Sequence, residues 1–319
     1  MKRLLSTLGL CAVAAFAASA AAPAAKAEQF VTVLTGGASG VYYPLGTAVA
    51  GLVAKAAPEV KTSVQATKAS VENLNLLQAG RGEIAFTLGD SLSFAWKGDA
   101  DAGFKAPLTK LRTIGAIYPN HIQIVASKDS GVKTLADWKG KRVSVGAPNS
   151  GTELNARAIF GAAGFGYDAL AKVEYLPFAE SVDLMKNRQL DATLISAGLG
   201  VAAVRDLAAS IEITIVSVPA EVIAKIGDPT YVSEPIPAGT YRGQDADVPT
   251  AAVRNFLVSH DGVSDDLAYA MTKAVYENLD AMVAAHAAAK LIRGDASAAK
   301  SPAPLHPGAA RYFKEKGWM

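Results

Sequence analysis

The sequence predicts an α/β fold of two lobes joined by a hinge, with a ligand cleft between them. Three observations carry that expectation. Apolar, β-branched runs alternate with helix-period segments along the chain. The alternation falls into two sets, one before Tyr118 and one after Lys128. A further strand-like run, Ala251 to Val258, then leads into a long helix, as if the chain returned to its first lobe. The implied division places residues 28–123 with 251–319 in one lobe and residues 124–250 in the other.

The expected strands are Phe30–Leu34, Val60–Ala66, Ile84–Thr87, Leu111–Tyr118, His121–Ala126, Arg142–Val145, Val173–Leu176, Ala192–Ile195 and Ile211–Val218. Helices are expected over Leu45–Ala57, Val71–Ala79, Thr152–Ala163, Ser181–Arg188 and Val201–Ala209. Alternation of this kind favours mainly parallel sheets. Ser264 is placed to cap the helix after the last strand, where Asp265 and Asp266 suit the positive end of its dipole.

The first residues read as an export signal. Lys2 and Arg3 precede an apolar run that closes on Ala25-Lys26-Ala27, a small-x-small cleavage pattern. Residues 1–27 are therefore expected to be removed, and the protein to be periplasmic. The single cysteine, Cys11, lies in this leader, and Leu10 before it does not suit a lipid anchor. The remaining chain has no cysteine for a disulfide, a nucleophile or a metal site. Cleavage removes three of the 31 basic residues and none of the 29 acidic ones, leaving the chain one charge negative. That balance argues against nucleic acid as a partner. No later stretch is long and apolar enough to span a bilayer.

The loop Thr35 to Pro44, rich in glycine, joins a strand to a helix. Such a loop aims free backbone N–H groups at an anion. It has neither the Lys-Ser/Thr pair of a phosphate loop nor dinucleotide spacing. Two tyrosines and a proline suit a small carboxylate better. Taken alone, the loop is equally an ordinary connection. Four further helix starts carry polar caps: Ser70 with Asn73 three residues on, Gly89-Asp90-Ser91, Asn149-Ser150-Gly151-Thr152, and Gly198-Leu199-Gly200. Each is first a cap. Together they would gather along one edge of the sheets and bind carboxylate oxygens without an arginine.

Catalytic signals are weak. His121, His260, His286 and His306 have no metal spacing, and there is no Gly-x-Ser-x-Gly elbow. His121 stands near the expected hinge, after Tyr118, and reads as a ligand donor or as a satisfied core histidine. Asp90 reads as a receiver for a ligand amine or as a helix cap. No catalytic residue, metal or cofactor is expected.

The chain resembles the substrate-binding proteins of the TAXI branch of TRAP transporters. The resemblance rests on Thr-Gly-Gly-x-x-Gly-x-Tyr-Tyr-Pro-x-Gly at 35–46 and Ala-Thr-x-x-Ser-x-Glu-Asn-Leu-x-Leu-Leu at 66–77. It continues with Asp-x-x-Gly-Lys-Arg-Val-Ser-Val-Gly at 137–146 and Ser-Gly-Thr at 150–152. Ile-Pro-Ala-Gly-Thr-Tyr-x-Gly-Gln-Asp at 236–245 and Pro-Leu-His-Pro-Gly-Ala-x-Arg-Tyr at 304–312 complete it. The resemblance implies a type II periplasmic binding protein fold. It also implies delivery of a small organic acid, such as glutamate or 2-oxoglutarate, to ion-driven membrane subunits. The ligand positions it implies, with those read from the caps, are Gly37, Ala38, Ser39, Gly40, Val41, Tyr42, Ser70, Asn73, Leu88, Asp90, Tyr118, His121, Asn149, Ser150, Gly151, Thr152, Gly198 and Leu199. Two departures make this pocket less polar. Leu88-Gly89-Asp90 stands where Gln-Ser-Asp is common, and Ala197-Gly198-Leu199-Gly200 where Gly-Gly-x-Pro is frequent. An enzyme on the same scaffold, or a sensory module for a membrane receptor, are the alternatives.

Overall fold

Phe30 to Leu34 places Val31, Val33 and Leu34 in the core and becomes the first strand of a ten-stranded sheet. The computed structural model describes residues 29–319, so the expected leader lies outside the described residues. The strands are β1 (Gln29–Leu34), β2 (Val60–Gln65), β3 (Ile84–Leu88), β4 (Leu111–Ser127), β5 (Arg142–Ser144), β6 (Lys172–Glu174), β7 (Ala192–Ala197), β8 (Ile213–Val216), β9 (Tyr231–Ile236) and β10 (Val248–His260). The helices are α1 (Tyr42–Ala56), α2 (Ser70–Gln78), α3 (Gly89–Lys97), α4 (Gly151–Ala163), α5 (Phe178–Lys186), α6 (Ala202–Ser210), α7 (Ala220–Ile226), α8 (Asp265–Tyr276), α9 (Leu279–Ala285) and α10 (Pro307–Glu315). No described helix is long and apolar enough to cross a membrane.

The strand order is β2-β1-β3-β10-β4-β7-β5-β6, with β8 on β4 and β9 on β10. Two arms of this sheet form the two lobes. In the first, β1 pairs parallel with β2 and β3; in the second, β5 pairs parallel with β6 and β7. The expectation of mainly parallel pairing fails at the centre. There β10 runs antiparallel to β3, β4 and β9, and β4 runs antiparallel to β7 and β8. The reason is topological: a chain that crosses to the second lobe and returns must do so in opposite directions, and adjacent crossings pair antiparallel.

The two crossing strands make the hinge. β4 is one strand of 17 residues, roughly 55 Å of extended chain, where the sequence suggested two. Its first half pairs with the end of β10, and its second half, from His121, pairs with β7. Likewise β10 pairs with β9 up to Val253 and with β3 from Asn255. Pro119 survives inside β4 because it faces Arg254, next to an irregularity in the β4–β10 register.

The segment after β10 returns to the first lobe. Thr113 N–H donates to the Pro304 carbonyl at 2.8 Å, and His306 N–H to the Thr113 carbonyl at 2.8 Å. Ser264 caps α8 as expected, accepting from Leu267 N–H at 3.3 Å. His306 caps α10 by accepting from Gly308 N–H, while its Nε2 meets the Val263 carbonyl at 3.0 Å.

Candidate functional site

A cavity with about 670 Å³ of empty space, part of it open to solvent, lies where the carboxyl ends of both arms meet. Its wall is built from strand ends and helix starts. Gly36, Gly37, Ser39, Gly40, Val41 and Tyr42 come from the β1–α1 turn, and Thr67 to Ser70 from the β2–α2 turn. Leu88 ends β3 and precedes α3. From the second lobe come Ala147 and Ser150 to Thr152 before and within α4, then Pro177 and Phe178 at the start of α5. Asn120 of β4 and Ser196 with Ala197 of β7 close the hinge end. Five helices of nine residues or more therefore begin at this wall. The first turn of each leaves backbone N–H groups without intrahelical partners and carries partial positive charge. Such convergence stabilises an anion. Among the described residues, the lining holds no histidine, cysteine or carboxylate side chain.

A chain of side chains ties this wall to the hinge. Tyr42 stacks on Phe86, with ring centroids 5.1 Å apart, and its hydroxyl donates to Asn255 Oδ1 at 2.5 Å. Burial pushes the Tyr42 phenol well above its ordinary range, so it remains a donor. Asn255 Nδ2 donates to Asn120 Oδ1 at 2.8 Å and to the Tyr118 carbonyl at 2.9 Å. Asn120 Nδ2 then donates to the Ser196 carbonyl at 2.9 Å. The chain thus runs from α1 through both crossing strands into β7.

The lobes touch around the cavity. A Cβ on Gly151 would lie 2.6 Å from both Leu88 Cδ1 and Ser70 Oγ, so only glycine permits this approach of α4 to the first lobe. Glu72 N–H donates to the Asn149 carbonyl at 3.1 Å, and Ala203 N–H to the Ser39 carbonyl at 3.3 Å. Two backbone positions, one at the wall and one just before α4, are unusual. Ala69, which precedes α2, has φ 72° and ψ −151°, and Asn149 has φ 60°.

The profile of the NMT1-like family matches residues 33–317. The chain belongs to the NMT1-like family. Its mixed α/β fold, a central sheet with flanking helices, is that of periplasmic solute-binding proteins. A protein from Bordetella bronchiseptica RB50 superposes with a TM-score of 0.58 at 16% identity, over 90% of this chain and 98% of that one. The periplasmic binding protein BugD gives 0.56 at 13% identity, over 92% and 99%. The alkanesulfonate-binding protein SsuA from Xanthomonas axonopodis pv. citri, bound to MOPS, gives 0.51 at 14%, over 91% and 85%. At these identities the likeness is one of fold.

In this NMT1-like chain, ten of the ligand positions expected from sequence line the cavity: Gly37, Ser39, Gly40, Val41, Tyr42, Ser70, Leu88, Ser150, Gly151 and Thr152. Ser150 caps α4, accepting from Glu153 N–H at 3.2 Å. Ser70 does not cap α2. It is the helix's first residue, Ala69 holds the cap position, and Ser70 Oγ instead accepts from Leu88 N–H at 3.2 Å.

The other eight positions lie outside the wall. Ala38 and Asn149 are exposed. Asn73 braces the strand ends beneath the wall, donating to the Thr35 and Phe86 carbonyls at 2.7 and 2.8 Å. Asp90 is fully buried, and both its oxygens are engaged. Oδ1 accepts from Ser91 N–H at 2.6 Å, and Oδ2 accepts from Asn155 Nδ2 and the Tyr231 hydroxyl, each at 2.7 Å. Tyr118 is buried with its ring against Gly198, and Leu199 packs on the core. His121 is buried, with Nε2 3.3 Å from Glu234 Oε2; burial lowers its pKa to about 4, so it is neutral at neutral pH.

The wall residues outside the expected ligand positions are Gly36, Thr67, Lys68, Ala69, Asn120, Ala147, Pro177, Phe178, Ser196 and Ala197. Thr67 to Ala69 lie inside the 66–77 motif and were within reach. Phe178 carried no local signal. It matters because a Cβ on Gly40, in the other lobe, would come within 3.8 Å of its ring.

Proposed function

We propose that this chain is an extracytoplasmic solute-binding protein that closes around a small organic acid and delivers it to the membrane subunits of a transporter. The observation that carries the reading is the convergence of five helix starts on one cavity that holds no acidic side chain. The proposed lobes, residues 28–123 with 251–319 and residues 124–250, would close by bending the β4–β10 ribbon. A ligand touching both lobes favours the closed form by its differential affinity for that form. The motifs at 35–46, 236–245 and 304–312 favour TRAP-type subunits and a carboxylate ligand. That the fold is shared with SsuA and BugD supports periplasmic solute binding in general. We read residues 1–27 as the export signal and the mature chain as unanchored.

The test is thermal unfolding of residues 28–319 against amino acids, oxo acids, hydroxy acids and dicarboxylates. A ligand at about 1,000 times its dissociation constant adds about 4 kcal/mol of stability. A shift confined to acids, with compaction in solution scattering, is expected. No shift with any acid would sink the carboxylate reading. Uptake by reconstituted subunits that requires ATP rather than an ion gradient would sink the TRAP assignment.

A further inference from the structure

Resting on the organic-acid reading, the charge and polarity of the wall narrow the ligand further. One cationic side chain lines the cavity, the exposed Lys68. Carboxylates near wall residues in sequence are engaged or placed elsewhere: Asp90 on Ser91, Asn155 and Tyr231, Glu72 on the Lys68 N–H at 2.6 Å, Glu153 on Arg157 and Tyr167, and Glu180 exposed outside the wall. A ligand ammonium in this cavity would meet no carboxylate and would face the positive ends of helices. A second ligand carboxylate would find no second cation. The hinge end adds a specific polar feature. Ser196 is 5% exposed and lines the cavity, and its Oγ, itself buried, has no hydrogen-bond partner. Its backbone is fixed, because its carbonyl accepts from Asn120 and β7 pairs there with β4. A buried hydroxyl without a partner is uncommon in a folded protein. Much of the remaining wall is apolar, with Val41, Leu88 and Phe178 the large groups.

We propose that the cavity selects a monocarboxylate that has an apolar body, no amino group, and a hydroxyl or oxo group that pairs with Ser196 Oγ. The carboxylate sits at the helix starts with Lys68 beside it. The serine hydroxyl can rotate to donate to an oxo oxygen or to accept from a hydroxyl. Amino acids are rejected because their ammonium goes unpaired, and dicarboxylates because their second charge does.

The experiment is titration calorimetry of residues 28–319 with matched sets of three to six carbons. Each set holds the 2-oxo acid, the 2-hydroxy acid, the unsubstituted acid and the amino acid; glutamate and 2-oxoglutarate are added. In the best-binding set the oxo or hydroxy acid is expected to be tightest, the unsubstituted acid about tenfold weaker and the amino acid at least about 100-fold weaker. Ser196→Ala is expected to weaken the oxo or hydroxy acid about tenfold and leave the unsubstituted acid unchanged. Unfolding of the free variant checks that it still folds. Tightest binding by an amino acid or a dicarboxylate, or equal loss for every acid in Ser196→Ala, overturns this inference alone. Binding of none of the acids overturns the organic-acid reading and this inference with it.

Discussion

Helix α4 meets the first lobe twice, one turn apart, and the two meetings are opposites. At Gly151 the contact is bare. At this position α4 presents no side chain, the neighbours are Leu88 and Ser70, and helix starts face the cavity. At Asn155 the contact is filled. Its amide donates to Asp90 Oδ2 and to the Tyr231 hydroxyl, each at 2.7 Å, and Tyr231 donates to the same carboxylate oxygen. Both regions are buried, and both bring polar groups of the two lobes together. The first leaves its donors for a guest; the second uses them within the protein. Burial of polar groups therefore does not by itself mark a ligand site. What marks it is donors without internal partners in a positive field.

The largest effect is expected at the bare contact. Gly151→Val places methyl groups where Leu88 and Ser70 already sit, so the lobes cannot approach. Acid binding should weaken by at least about 100-fold while circular dichroism keeps the wild-type spectrum. Undiminished affinity with a compact form in solution scattering would mean that α4 need not touch the first lobe.

The filled contact should respond to pH. Burial raises Asp90 to about 6, against the pull of its hydrogen bonds from Tyr231 and Ser91. The ionisable groups around it are Tyr231, Asp228 and Tyr42, none of them a cation. A carboxyl raised in the folded state from its ordinary value of 3.8 binds its proton more tightly there than in the unfolded chain. Its stabilising contribution is then full below pH 3.8 and is lost as pH rises through about 6. Asp90→Asn is expected to flatten that part of the stability profile and to raise stability at pH 7 by about 1–2 kcal/mol. Asn155 now turns Nδ2 toward position 90, and a flip of its amide would present Oδ1, buried without a partner, to the new amide. A pH profile from 4 to 7 that is identical in the two proteins would remove Asp90 from this role.

The smallest effect concerns Ala69 at the wall. Its φ of 72° and ψ of −151° suit glycine, and the strain is worth about 1–3 kcal/mol. Glycine loses more entropy on folding, about 0.5–1 kcal/mol. Ala69→Gly should therefore raise stability by about 1 kcal/mol, a Tm gain of about 2–4 °C in differential scanning calorimetry. A lower Tm would show that the neighbouring Gly36 and α2 hold Ala69 without strain.

The parts of the molecule legible in the sequence are those with local signals. Strand–loop–helix units and their caps place most of the wall, because strand ends and helix starts share one edge in parallel βαβ units. Roles set by distant partners were not legible. Asp90 looked like a cap or a ligand group until Asn155 and Tyr231, far along the chain, took its second oxygen. Tyr42 looked like a ligand tyrosine, and its hydroxyl is in fact held by Asn255. Pro119 and Pro235 hid the continuity of β4 and the presence of β9. Proline argues against an interior strand, yet one stands beside a register irregularity and the other on an edge strand opposite Pro249.

The place of β10 has a consequence for how the chain matures. It lies between β3 and β4 in the sheet but is made only at Val248–His260. Until then β3 and β4 have no strand to join them, so neither edge of the first lobe's gap is satisfied. A nascent chain cannot finish its first lobe early, and contacts of such long separation form slowly. For a chain read as exported, that delay keeps most of its length threadable through a translocation channel before a finished lobe can obstruct it.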